Sequence, residues 1–121
     1  MGNAAGGIPD PVVFRRVANQ ANLSEAKKFQ WLFAAALLGD PESQFLVGAM
    51  YSKGRGTKED DRESLKWLKE SAHNGYRKAQ LRLAYMLSKG EYVRKDEQAA
   101  YLWMKRAKRL SRVGPQKSAG I

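Results

Sequence analysis

The spacing of three tryptophans constrains the fold of this chain more than any other feature. Trp31, Trp67 and Trp103 follow one another at intervals of 36 residues. When residues 41–76 are aligned with residues 77–112, eight positions are identical, against about two expected for a random shift. The identical pairs are Gln44/Gln80, Met50/Met86, Ser52/Ser88, Lys53/Lys89, Gly54/Gly90, Asp60/Asp96, Trp67/Trp103 and Lys69/Lys105. A fixed period of this length predicts stacked repeat units that bury their apolar faces against one another.

Each unit divides into two helices. Apolar or small residues recur at helical spacing within a unit, and Gly or Pro interrupts the pattern between the two stretches. Asp40 followed by Pro41 predicts the start of a first helix, and Gly54 predicts its end. Asp60 and Asp96 predict the starts of second helices, because a carboxylate there accepts hydrogen bonds from the first turn. The predicted fold class is therefore all-α, an α/α helical-repeat solenoid of about two and a half repeats.

The repeats predict the organisation of the whole chain. We expect a flexible leader (residues 1–9), one repeat domain (residues 10–112) and a flexible basic tail (residues 113–121). The domain holds a half repeat at residues 22–40 and full repeats at residues 41–76 and 77–112. A shorter helix over residues 11–20 has an apolar edge that can seal the first repeat face. Because so few repeats are rarely stable alone, we expect either this shielding or a homodimer through an uncapped repeat face.

The residue types needed for catalysis or metal binding are scarce. The chain has no cysteine and one histidine, His73, which falls in the last turn of a predicted helix, where the helix dipole favours a cation. No second histidine or nucleophile completes a catalytic pattern around it. The acidic residues 59–63 lack the spacing of a cation site, and residues 53–58 lack the glycine spacing of a phosphate-binding loop. We therefore predict a protein that is not an enzyme, with no catalytic, cofactor-binding or metal-binding residues.

Both full repeats resemble the Sel1-like repeat family, which is related to tetratricopeptide repeats. The matching residues are Ala79, Gln80, Leu83, Ala84, Leu87, Gly90, Asp96, Trp103 and Ala107, preceded by Gln44, Val47, Gly48, Tyr51, Gly54, Gly56, Asp60, Trp67, Ala72 and Gly75. The resemblance covers about residues 22–112. It implies antiparallel helix pairs in a right-handed superhelix that serves as an adaptor or scaffold in protein complexes, and it implies no chemistry. Two departures occur: Tyr92 replaces a glycine of the interhelical turn, and Lys108 and Arg109 give the last helix the polar face of a terminal cap.

Excess positive charge is concentrated near the C-terminus. The chain has 22 Lys and Arg against 12 Asp and Glu, for a net charge of +10. The residues that could bind a polyanion are Lys105, Arg106, Lys108, Arg109 and Arg112. Because no base-reading signature accompanies them, we favour an acidic protein partner. The alternatives are nucleic acid, or a charge that serves only solubility or the capping of the last repeat.

A protein or peptide partner is expected on the concave side of the solenoid, which the first helix of each pair lines. Residues predicted to lie off the packing face there are the candidate contacts. They are Gln44, Met50, Gln80, Arg82, Tyr85, Met86 and Lys89. Simple solvent exposure is the alternative interpretation for each of them.

The apolar stretches are short. The longest runs from Trp31 to Leu38, against about 20 residues needed to cross a bilayer. The N-terminus has neither a basic start nor an apolar core of a secretory signal. We expect a soluble protein, cytoplasmic by preference, or periplasmic or secreted if a native signal peptide has been removed.

Overall fold

The computed structural model describes residue 7, residues 9–20 and residues 22–119, with side chains as far as Arg109. Within these residues the protein is all-α, and six helices follow one another without a strand. They are α1 (Pro11–Ala18), α2 (Glu25–Leu37), α3 (Pro41–Lys53), α4 (Asp61–His73), α5 (Arg77–Lys89) and α6 (Glu97–Ala119). Each helix packs against the next one in the chain. The predicted all-α repeat architecture is thereby confirmed.

The predicted starts and ends of the helices are confirmed by their hydrogen bonds. Asp40, Asp60 and Asp96 precede α3, α4 and α6, and each side chain accepts a hydrogen bond from a backbone N–H of the first turn at 3.0 to 3.1 Å. Such caps satisfy donors that the helix itself leaves without a partner. Gly54 and Gly90 end α3 and α5 in the left-handed conformation, which costs glycine little.

The core forms two clusters that follow the repeat. Small residues in these clusters allow close helix packing, and the larger ones fill the space between neighbouring pairs. The first cluster consists of Ala18, Leu32, Ala36, Val47 and Trp67, and the second consists of Leu68, Ala72, Ala79, Leu83 and Met86. Leu32 and Ala36 are separated from Leu68 and Ala72 by one repeat. Equivalent residues therefore build two successive core clusters, one for each repeat.

The helix predicted over residues 11–20 is confirmed as α1, and it covers the first repeat face. Phe14 contacts Trp31 edge to face, with ring centroids 5.4 Å apart. Arg15 Nε donates to buried Asp40 Oδ2 at 2.8 Å, which links α1 to the cap of α3. Burial would raise the pKa of Asp40, but hydrogen bonds from Arg15 and Ser43 outweigh it, so this pKa lies below its ordinary value. The predicted homodimer and the exact domain boundaries stay predictions.

Candidate functional site

Three of the predicted partner contacts form an exposed strip on α5. Arg82, Tyr85 and Lys89 are all exposed, and half of the Tyr85 surface is accessible. The Lys89 ammonium lies 5.9 Å from the Tyr85 ring centroid, within the range of a cation–π contact. Their spacing of three and four residues places them on one side of the helix. This strip therefore presents an aromatic ring between two cations.

The two predicted glutamine contacts are buried, so their placement off the packing face is wrong. Gln44 Nε2 donates to the Ala36 carbonyl and Gln80 Nε2 to the Ala72 carbonyl, each at 3.0 Å. Both glutamines are 2% exposed. Each amide satisfies a carbonyl near the end of the preceding helix, which an apolar side chain could not do. The strict recurrence of Gln at the repeat period was the available signal for this structural role.

The two predicted methionine contacts also lie closer to the core than expected. Met86 is 5% exposed and belongs to the second core cluster, so its placement off the packing face is wrong as well. Met50 is half-buried against the first cluster. Methionine is flexible and apolar, and it fills irregular gaps between helices.

A cavity of about 270 Å³ opens beside the α5 strip, between α3, α4 and α5. Apolar side chains line much of it, among them Phe45, Leu65 and Met86. Lys53 and Arg82 also line it, and among the described residues neither forms an ion pair. An apolar interior with a few charged groups is the usual composition of a binding pocket.

The cavity lies where one interhelical turn meets the start of a helix. We call this the second junction: the turn at residues 90–96 facing Asp61, the first residue of α4. Tyr92 and Asp61 both line the cavity. Tyr92 has φ of 61° and is 69% exposed. The turn thus keeps the left-handed conformation at this position although tyrosine replaces the glycine found in the preceding repeat.

The corresponding first junction is closed. Here the turn at residues 54–60 faces Glu25, the first residue of α2. A Cβ atom added to Gly56 would lie 2.3 Å from the Glu25 carbonyl oxygen, so no side chain fits between them. Arg55 Nη2 also lies 3.4 Å from Glu25 Oε2. Backbone contact and an ion pair therefore hold this turn against α2.

The predicted polyanion-binding residues lie on α6. Lys105, Arg106, Lys108 and Arg109 are exposed, whereas the side chain of Arg112 lies outside the described residues. The Arg106 guanidinium lies 4.5 Å from the Trp103 ring centroid. The Lys105 ammonium also lies 5.5 Å from the Tyr101 ring centroid, so two of these four cations lie against aromatic rings of their own helix.

The structure reveals no arrangement of groups for metal chemistry in the part of the chain that it describes. No cluster of three or more His, Cys, Asp or Glu side chains is found there. The ring of His73 contacts Trp103 edge to face at 5.0 Å, an aromatic packing contact between α4 and α6. Among the described helices, none has the length and hydropathy required of a membrane span.

Comparisons with known proteins agree with this architecture. A model of the Sel1 repeat matches residues 41–76 and 77–111. A Sel1 repeat protein of Oxalobacter formigenes is 30% identical with a TM-score of 0.75, over 80% of this chain and 42% of that one. A protective antigen of uropathogenic Escherichia coli strains with an SLR fold is also 30% identical, with a TM-score of 0.70, over 89% of this chain and 24% of that one.

A third solved structure supports the fold alone. Cysteine-rich protein B of Helicobacter pylori is 23% identical with a TM-score of 0.69, over 86% of this chain and 76% of that one. The chain spans less than half the length of the first two proteins. A search of curated proteins found no match.

Proposed function

The chain belongs to the Sel1 repeat family, and we propose that it is a non-catalytic adaptor that binds an acidic protein segment through α3 and α5. Repeats of this family generally serve as protein-interaction modules. The observation that carries the proposal is the exposed strip of Arg82, Tyr85 and Lys89 beside an apolar cavity. Aromatic and arginine side chains are enriched at the energetic centres of protein interfaces. The positive charge of α5, which contains no acidic residue, favours an acidic partner.

A displayed library of random peptides, selected on the immobilised chain, tests this function. We expect enrichment of acidic sequences with an aromatic or aliphatic residue. The variant with Arg82, Tyr85 and Lys89 all changed to Ala should lose these peptides while its helical circular dichroism is retained, because all three side chains are exposed. A matched variant on α6, with Lys105, Lys108 and Arg109 changed to Ala, should keep them. Failure to enrich any sequence, or equal binding by both variants, would contradict the proposal.

The second candidate function is polyanion binding through α6. The observation that favours it is the group of four neighbouring exposed cations, Lys105, Arg106, Lys108 and Arg109. If all four contact phosphates of mixed-sequence RNA, log affinity should fall with log salt concentration with a slope of about −3. The α6 triple variant should then bind more weakly with a shallower slope, since each lost phosphate contact reduces the slope by about one.

A further inference from the structure

The two junctions differ at each position that closes the first one. One repeat after Glu25, Arg55 and Gly56, the chain carries Asp61, Glu91 and Tyr92. Glu91 has the same charge as Asp61, so the ion pair of the first junction has no equivalent in the second. A tyrosine cannot approach a backbone carbonyl as closely as glycine does. The second junction therefore lacks both contacts that hold the first turn against its helix.

Side-chain size adds to this difference. In the first junction Phe29 packs between the rings of Phe33 and Tyr51, with centroids 5.5 and 5.3 Å away. The residue one repeat later is Leu65, which lines the cavity. Leucine occupies less volume than phenylalanine and makes no aromatic contact there. The second junction therefore has a smaller side chain at the position that corresponds to Phe29.

We propose that the second junction receives one aromatic side chain from an acidic segment of a partner protein, whose carboxylates face Lys53 and Arg82. This inference rests on the proposed function and names the residue that anchors the partner. The size of the cavity supports it, since an apolar cavity of about 150 Å³ already holds a benzene ring. Lys53 and Arg82 provide the complementary charge at its edge.

Short synthetic peptides with one central residue between acidic residues test the proposal. Phenylalanine at the centre should bind about ten- to a hundredfold more tightly than alanine, because burial of the ring is lost in the alanine peptide. The same phenylalanine between lysines should not bind. Methyl resonances of ¹³C-labelled methionine report the location: the Met86 signal should shift, and that of Met104, exposed on α6, should not.

Three variants of the chain define the site. Ala49→Phe places a ring in the cavity from an exposed position of α3 and should abolish the preference for phenylalanine over alanine. Arg82→Glu should weaken binding about three- to tenfold at low salt and less at high salt. Lys108→Glu makes the same charge change on α6 and should leave binding unchanged. Circular dichroism and thermal melting establish that each variant is folded.

The outcomes separate this inference from the proposed function. Peptides from the random library that bind Ala49→Phe as tightly as the original chain would overturn the cavity inference and leave the adaptor function intact. A Met86 resonance that does not move, or equal affinity for the phenylalanine and alanine peptides, would also overturn it. Competition by mixed-sequence RNA with loss of binding in Lys108→Glu would overturn both in favour of the polyanion site.

Discussion

Substitution of Gly56 by alanine should destabilise the protein far more than the same change at Gly75. Both glycines have positive φ, 74° and 92°, so alanine is strained at either position. The surroundings differ: a Cβ at Gly75 would meet no atom within 4 Å, whereas a Cβ at Gly56 would lie 2.3 Å from the Glu25 carbonyl oxygen. That oxygen belongs to the backbone of α2 and cannot turn aside as a flexible side chain would. The turn or the start of α2 must therefore move.

The expected magnitudes follow from these two contributions. The left-handed conformation costs alanine about 1 to 2 kcal/mol at either glycine. Displacing packed backbone in Gly56→Ala adds about 1 to 3 kcal/mol, the usual cost of overpacking. The total for Gly56→Ala is thus about 2 to 5 kcal/mol, a large share of the roughly 6 to 18 kcal/mol expected for a domain of this length.

Urea unfolding, followed by tryptophan fluorescence and circular dichroism, measures both variants. We expect Gly56→Ala to be less stable than Gly75→Ala by about 1 to 3 kcal/mol, with a melting temperature lower by several degrees. Agreement of the two free energies of unfolding within about 0.5 kcal/mol would refute the reasoning. It would mean that the turn and α2 are not in backbone contact in solution.

Other consequences of the packing can be measured in the same way. Leu83→Ala should cost about 2 to 5 kcal/mol of unfolding free energy, because Leu83 is 3% exposed, whereas Leu102→Ala at an exposed position should cost less than about 0.5 kcal/mol. Because the pKa of Asp40 is lowered in the folded protein, the ionised carboxylate stabilises the fold above about pH 4, and this stabilisation is lost as the pH falls through the lower folded pKa. The urea midpoint of Asp40→Asn should therefore lie below that of the original chain at neutral pH and approach it only in acid. The double variant Glu91→Arg with Tyr92→Gly should close the second junction, raise the melting temperature by a few degrees and weaken the acidic phenylalanine peptide about tenfold.

The sequence predicted the elements of the fold because their signals are local. The tryptophan period identified the repeat, and Asp40, Asp60 and Gly54 marked helix ends by their own capping chemistry. Side chains whose role depends on a neighbouring repeat were harder to interpret. Gln80 has the polarity expected of a surface contact, yet its amide is buried against the Ala72 carbonyl. Periodicity shows which residues are equivalent, but it does not show what each side chain meets across the junction.

The candidate cavity was unpredictable for the same reason, although the residues that create it are visible in the sequence. Tyr92 stood out only as a departure from the family pattern in its own turn. The effect of Tyr92 on the cavity depends on Asp61, some thirty residues earlier in the chain. It becomes apparent from the first junction, where Gly56 allows the turn to lie against the backbone of α2. The cavity is visible when the contacts of one repeat are compared with those of the next, but it is not visible in an alignment of the residues alone.

The unequal junctions let a short solenoid combine a tightly packed N-terminal part with an open cavity. Neighbouring repeats contact only each other, so looseness at one junction does not spread along the stack. The N-terminal part is held by the Arg15–Asp40 ion pair, by Gly56 against α2 and by contacts between half-buried aromatic rings. These contacts allow the second junction to keep an unfilled cavity without loss of the fold. In the proposed complex a partner ring would occupy this cavity, so that binding would bury apolar side chains that the chain itself leaves around an open space.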